Sequence, residues 1–169
     1  MPEDITKTPW WAVVEPEEGE SYWQPEPSNG FVTMKFSPDN TPYDTFTSGT
    51  QVLPPGCHVR EHGHKQNHEL IFIHKGTGIC KIEDETYELK PGVTVLFGRY
   101  ARHIIENTGD EDLHMFWVFF PPALENWFRA IGKLRIPGDE PPAHFPRPDG
   151  VESVMEQLRF VPPKPKSED

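Results

Sequence analysis

Residues 56–76 read GCHVREHGHKQNHELIFIHKG, and their reading decides how the rest of the chain is understood. His62, His64 and Glu69 fall within eight residues, bracketed by Gly56 and Gly76. The two histidines are two apart, so an extended strand sends both side chains from one face. Glu69 opens the apolar run ELIFI, and a short turn through Lys65 to Asn67 returns its carboxylate opposite the pair. Two imidazoles and a carboxylate converging on one point are ligands for a divalent metal. His103, in GRYARHIIENTG on another apolar strand pattern, is the expected fourth ligand. The chain holds 8 His, so an HxH pair by itself is a weak signal, and the wider spacing has to carry the argument.

That spacing resembles a known family. Gly56, five residues, His62, one residue, His64, four residues, Glu69, six residues and Gly76 follow the first motif of the cupin superfamily at every fixed position. GVTVLFGRYARHIIEN resembles the second motif, with Gly92, then His103 eleven residues on and Asn107 four later. It departs from the family pattern at Gly98, where proline is usual, and at Tyr100, where glycine is usual. Both departures touch the turn before His103 and leave the ligand in register. The resemblance, to a single-domain cupin of the cupin 2 type, covers residues 56–107 and implies a jelly-roll β-barrel holding a three-His, one-Glu metal site.

Composition narrows the rest. A chain of 169 residues suffices for one domain with a real core and is short for two. A formal net charge of -11, with no Lys/Arg cluster, argues against nucleic acid and against an anionic membrane as partners. No apolar segment is long enough to span a bilayer, and MPEDITKTPWW has neither the basic start nor the apolar core of a signal peptide, so a cytoplasmic location is expected. Cys57 and Cys80 fit a reducing compartment, with a single disulfide as the alternative.

Taken in order, residues 1–29 form an acidic, proline-rich arm that carries Trp10, Trp11, Tyr22 and Trp23. Those aromatics imply packing on the barrel or on a second subunit, and a lid over the metal is the sharper alternative. Residues 30–121 read as the all-β barrel, some nine strands from FVTMKF to DLHMFWVFF separated by turn signals. Residues 122–160 form a short helical extension: Leu124, Trp127, Phe128 and Ile131 recur at helical spacing, and a second helix in DGVESVMEQLRF has Asp149 as its cap. Both helices are read as packing elements or part of a dimer contact. Residues 161–169 read as a disordered tail.

Strand parity predicts the interior. With His62 and His64 inward, His58 and Arg60 share their face and Val59 does not. Glu69 takes Ile71 and Ile73 inward with it, and His103 takes Ile105. LHMFWVFF is apolar at nearly every position, so either His114, Phe116 and Val118 or Met115, Trp117 and Phe119 line the cavity. Arg60 is the expected substrate-orienting group, because a guanidinium can grip a carboxylate in bidentate fashion. Arg99 and Arg102 are read as rim charges. Tyr100 and His114 are candidate acid or base groups, with a turn role and a core role as their structural alternatives.

Three neutral imidazoles and one carboxylate suit a divalent transition metal, Fe first, with Mn, Ni, Co, Cu or Zn as alternatives. An octahedral ion would keep two neighbouring positions open, as catalysis requires. The family resemblance supplies a fold and a metal site without a reaction. The leading expectation is an Fe(II)-type dioxygenase acting on a small anionic or phenolic molecule. The alternatives are a non-oxidative lyase, decarboxylase or isomerase using Mn, Ni or Zn, and a small-molecule binding or sensing module. A homodimer is expected, with the Trp-rich arm as a strap.

Overall fold

The structure is a computed structural model that describes residues 9–165. Apolar residues alternating at period two build the strands, and each strand gives one face to a shared interior. In chain order the elements are β1 (Glu20–Trp23), β2 (Phe31–Phe36), β3 (Thr47–Leu53), β4 (His58–His64), β5 (His68–Lys75) and β6 (Gly78–Ile82). Then come β7 (Glu85–Leu89), β8 (Thr94–Phe97), β9 (His103–Glu106), β10 (Leu113–Phe120), α1 (Leu124–Ile131), β11 (Lys133–Leu134), α2 (Glu152–Gln157) and β12 (Phe160–Val161). One sheet has the order β11-β1-β2-β3-β10-β5-β8 and the other β12-β4-β9-β6-β7, and every pairing is antiparallel. This is the expected jelly-roll arrangement of two sheets around one core.

The core decides the parity that the sequence left open. Leu113, Met115, Trp117 and Phe119 of β10 are buried, while His114, Phe116, Val118 and Phe120 are half-buried on the other face. Val32, Leu53, Ile71 and Ile73 meet them with no exposed surface. Each such side chain contributes about 1.5–3 kcal/mol relative to exposure. Ile71, Ile73 and Ile105 point inward as predicted, and Phe72 and His74 outward. Cys57 and Cys80 are both free thiols, and burial, aided by the Glu69 charge, pushes the Cys80 thiol up to about 12.

Helix α1 lays Leu124, Trp127, Phe128 and Ile131 onto the barrel, with Trp117 and Phe128 rings 5.5 Å apart. Its end needs glycine for space: a Cβ on Gly132 would lie 2.7 Å from Tyr22 Cβ and 2.8 Å from the Phe128 carbonyl oxygen. Arg129 of α1 ties the helix to β1 through Glu20, with Nη2 2.6 Å from Oε2.

Three expectations change. Residues 20–23, placed in the arm by their proline-rich and acidic surroundings, belong to the barrel as β1, because Glu20 to Trp23 pair with Met34 to Phe31. The segment from Val161, expected to be disordered, is ordered as far as the description reaches: Val161 pairs with Gly63, and Lys164 N donates to Glu61 Oε2 at 2.7 Å. Residues 166–169 lie outside the described residues. Helix α2 takes Val151 rather than Asp149 as its N-cap, with no side-chain cap hydrogen bond. Trp10 and Trp11 of the arm remain exposed at 41% and 79%, whereas Trp23 is buried. Among the described residues no helix is long and apolar enough to cross a membrane.

Candidate metal centre

Strands β4, β5 and β9 bring the four predicted ligands together. Donor atoms of His62, His64, Glu69 and His103 all lie within 4.8 Å of one another. Glu69 Oε2 stands 3.1 Å from His64 Nε2 and 3.3 Å from His103 Nε2. His64, Glu69 and His103 are buried, and His62 is half-buried at the cavity side. Gly63, between the two histidines, admits the neighbouring strands: a Cβ there would meet the Ala101 carbonyl oxygen at 3.0 Å and Val161 Cβ at 3.2 Å.

Backbone carbonyls set the tautomers. His62 Nδ1 lies 2.8 Å from the Arg60 carbonyl oxygen and His103 Nδ1 3.0 Å from that of Ala101. A carbonyl only accepts, so each Nδ1 carries a proton and each Nε2 faces the other donors of the cluster. His103 Nε2 is buried with no hydrogen-bond partner, although a carboxylate oxygen stands beside it. Burial, reinforced by His103 and His64, pushes the His62 imidazole well below its ordinary range and keeps it neutral, the form that ligates. Burial would push the Glu69 carboxyl up, but the imidazoles of His103 and His64 outweigh it and hold it well below the usual carboxylate range. One ionised carboxylate and three imidazoles with donor atoms within 4.8 Å of one another form a set that fits a divalent cation.

An aromatic shell surrounds the cluster. Phe97 stacks on His103 with ring centroids 3.8 Å apart at 11°. Phe119 and Phe160 approach His64 at 4.7 Å and 5.1 Å, and Phe160 also touches Trp127 at 5.1 Å. A cavity of about 200 Å³ opens over this floor, reached by His62 and Glu69 and walled by Trp127 and Phe160. Gln24 to Ser28 close part of its rim, so the arm walls the cavity of its own barrel.

The other predicted residues divide. Arg60 reaches the cavity mouth, where its Nη2 donates to the Glu26 carbonyl oxygen at 3.2 Å. Its route there is not the predicted parity. Val59 pairs with Ile105 and His62 with His103, three residues on β4 against two on β9. This bulge puts Val59 on the interior side with His62 and leaves Arg60 exposed. Tyr100 and His114 are not brought to the site. Tyr100 is 60% exposed at φ 68°, with its backbone N–H on the His64 carbonyl. His114 sits on the outer face of β10, its ring 5.3 Å from His74. Arg99 is exposed, and Arg102 Nε holds the Pro162 carbonyl at 2.9 Å. Asn107 is structural, its Nδ2 donating to the Leu53 and Glu111 carbonyls at 2.7 Å and 2.9 Å.

Sequence reasoning missed Trp127, Phe160 and Arg147 as cavity residues. Helical spacing marked Trp127 as buried but not what it would face. Phe160 and Arg147 arrive by long-range packing that no local pattern encodes.

The two-sheet barrel with three histidines and one glutamate on its inner face defines a metal-capable jelly roll. Residues 49–119 match the model of the cupin domain, which supports the resemblance to the cupin superfamily. Among curated proteins, the chain is 35% identical over 83 residues to a 5-nitrosalicylic acid 1,2-dioxygenase of Bradyrhizobium sp, covering 49% of this chain and 39% of that protein. It is 27% identical over 75 residues to the polyketide synthase CurC of Streptomyces cyaneus, covering 44% of this chain and 49% of the relative. These and an uncharacterized Methanocaldococcus jannaschii protein are matched over 39% to 57% of their own lengths. Among solved structures, a predicted oxalate decarboxylase from Thermotoga maritima superposes with TM-score 0.57 at 26% identity, covering 64% of this chain and 98% of that one. The polyketide cyclase RemF of Streptomyces resistomycificus, at TM-score 0.57 and 18% identity over 66% of this chain and 80% of its own, shares the fold.

Proposed function

We propose that the protein is a cytoplasmic, metal-dependent cupin enzyme, an Fe(II)-type dioxygenase acting on a small anionic or phenolic molecule. The observation that carries this reading is the four-donor cluster, its donor atoms within 4.8 Å of one another, at the floor of a cavity with aromatic walls. A divalent ion held by His62, His64, Glu69 and His103 would supply Lewis acidity and, as iron, one-electron chemistry toward dioxygen. The chain's own residues do the rest. The carbonyls of Arg60 and Ala101 hold two imidazoles in the ligating tautomer. Trp127 and Phe160 exclude water, which strengthens every charge interaction inside, and Arg60 at the mouth draws in and orients an anion.

The likeness to a 5-nitrosalicylic acid dioxygenase supports the oxidative reading over about half of this chain. The non-oxidative lyase, decarboxylase or isomerase has lost its two candidate proton-transfer groups, since Tyr100 and His114 lie away from the cavity. The binding or sensing module is favoured only if the four donors hold no metal. Oxygen uptake with salicylate or a related phenolic acid, strictly dependent on added Fe(II), is the expected result. Turnover of the same compound without oxygen would overturn the dioxygenase reading. The same proposal takes the enzyme as a homodimer, supported by Trp11 and Val13 of the arm, each 79% exposed on their own chain.

A further inference from the structure

Beyond the metal donors, the cavity contains a second concentration of charge. Arg147, in the proline-rich segment after α1, lies with its guanidinium carbon 4.8 Å from the Trp127 ring centre and lines the same cavity as Arg60. Its Nε is buried and has no hydrogen-bond partner. The segment is held in place where Glu26 N donates to the Phe145 carbonyl at 2.9 Å, and Arg60 holds the Glu26 carbonyl from the other side. Burial, with the Arg60 charge beside it, pulls the Arg147 guanidinium below its ordinary value.

Two like charges share a cavity, and among the described residues neither is matched by a carboxylate. Of the acidic side chains at the rim, Glu61 accepts from Lys164 N at 2.7 Å and Glu26 is half-exposed, 3.9 Å from His144. In a chain of net charge -11, with 27 acidic against 16 basic residues, an arginine pair that forms no ion pair with the carboxylates lining the same cavity is suited to an external anion. Trp127 fixes one guanidinium plane, which reduces the ordering cost of gripping a planar carboxylate. The apolar walls Leu124, Phe128 and Ile131 want an organic body behind that carboxylate. A cavity of about 200 Å³ suits one ring or its equivalent, since pockets for drug-sized ligands run from roughly 300 Å³ upward.

We infer that Arg147 and Arg60 form a carboxylate clamp, and that the ligand of this cavity is a single-ring aromatic carboxylic acid held by the arginine pair and walled by Trp127. The inference rests on the metal-site reading for the position of the reacting end of the ligand and deepens it by naming the substrate class and a binding residue, Arg147, contributed from outside the barrel.

Calorimetric titration of the full chain with benzoate, salicylate and the neutral isostere benzamide tests the clamp. Benzoate and salicylate should bind about tenfold or more tightly than benzamide. Arg147→Gln and, independently, Arg60→Gln should remove that preference and leave benzamide unchanged, while Arg147→Lys keeps part of it. Thermal melting of each variant separates loss of the clamp from loss of the fold, and Arg60→Gln, on another element, repeats the test if Arg147→Gln unfolds. Equal binding of benzoate and benzamide, unaltered benzoate binding in both Gln variants, or no benzoate binding would overturn the inference. The Glu69→Gln variant keeps the two readings apart. Acid preference that persists in this variant after the metal is lost supports the clamp independently of the metal, a parent with acid preference but no bound metal sinks the enzyme reading alone, and a parent that binds metal without acid preference sinks the clamp alone.

Discussion

At the scale of single residues, the ligand set was legible because its information is local and periodic. His62 and His64 share a face by their spacing of two, and Glu69 and His103 follow at the motif's intervals. Arg60 was misplaced by the same rule, since the bulge between Val59 and His62 changes parity within a strand that reads as continuous. Tyr100 shows how a departure from a family pattern becomes physical. It stands where glycine is usual and adopts φ 68°, a left-handed conformation that costs an ordinary side chain about 1 kcal/mol or more. Tyr100→Gly should therefore melt at the same temperature as the parent or somewhat above it, and Tyr100→Val should lose about 1–2 kcal/mol. Differential scanning calorimetry checks both, and a large loss in the glycine variant would show that the exposed ring carries stability.

At the scale of elements, the strands from FVTMKF to LHMFWVFF were readable because alternation and turn residues mark them. The short strands β1, β11 and β12 were not, because two to four residues carry too little pattern and are fixed only by their partners. Arg129 illustrates such a tertiary fixing, joining α1 to Glu20 of β1 at 2.6 Å and to Asp39 at 2.8 Å. The hydrogen bond from Arg129 holds the Glu20 carboxyl below its ordinary value, against the opposing effect of burial. A carboxyl depressed in the folded state adds stability above its unfolded value and loses it as pH falls through its folded value. Arg129→Ala should thus cost about 1 kcal/mol or less near neutral pH, because the pair is partly exposed. The gap between variant and parent melting temperatures should close as pH drops below about 4. A gap independent of pH would assign the effect to packing of the arginine stem.

At the scale of the whole molecule, the barrel supplies the metal donors, while segments on either side of it supply the cavity. Gln24 to Ser28, Trp127, Arg147 and Phe160 come from regions read as arm, helix, connector and C-terminal extension, and they converge only in three dimensions. The family motif could therefore announce the centre but not the walls that select its ligand. The proposed homodimer belongs to this scale. Removing residues 1–14, which leaves β1 intact, should reduce the sedimentation mass to that of a monomer if Trp11 and Val13 strap a second copy. An unchanged dimeric mass would contradict the role of the arm. The central claim is that His62, His64, Glu69 and His103 hold one divalent ion. Its most direct test is elemental analysis by mass spectrometry of protein purified without chelators, beside Glu69→Gln and His103→Ala variants whose circular dichroism matches the parent. The account predicts about one transition-metal ion per chain in the parent and a roughly tenfold or greater loss in both variants. A folded parent that holds no ion even after incubation with Fe(II), Mn(II) or Zn(II) would contradict it.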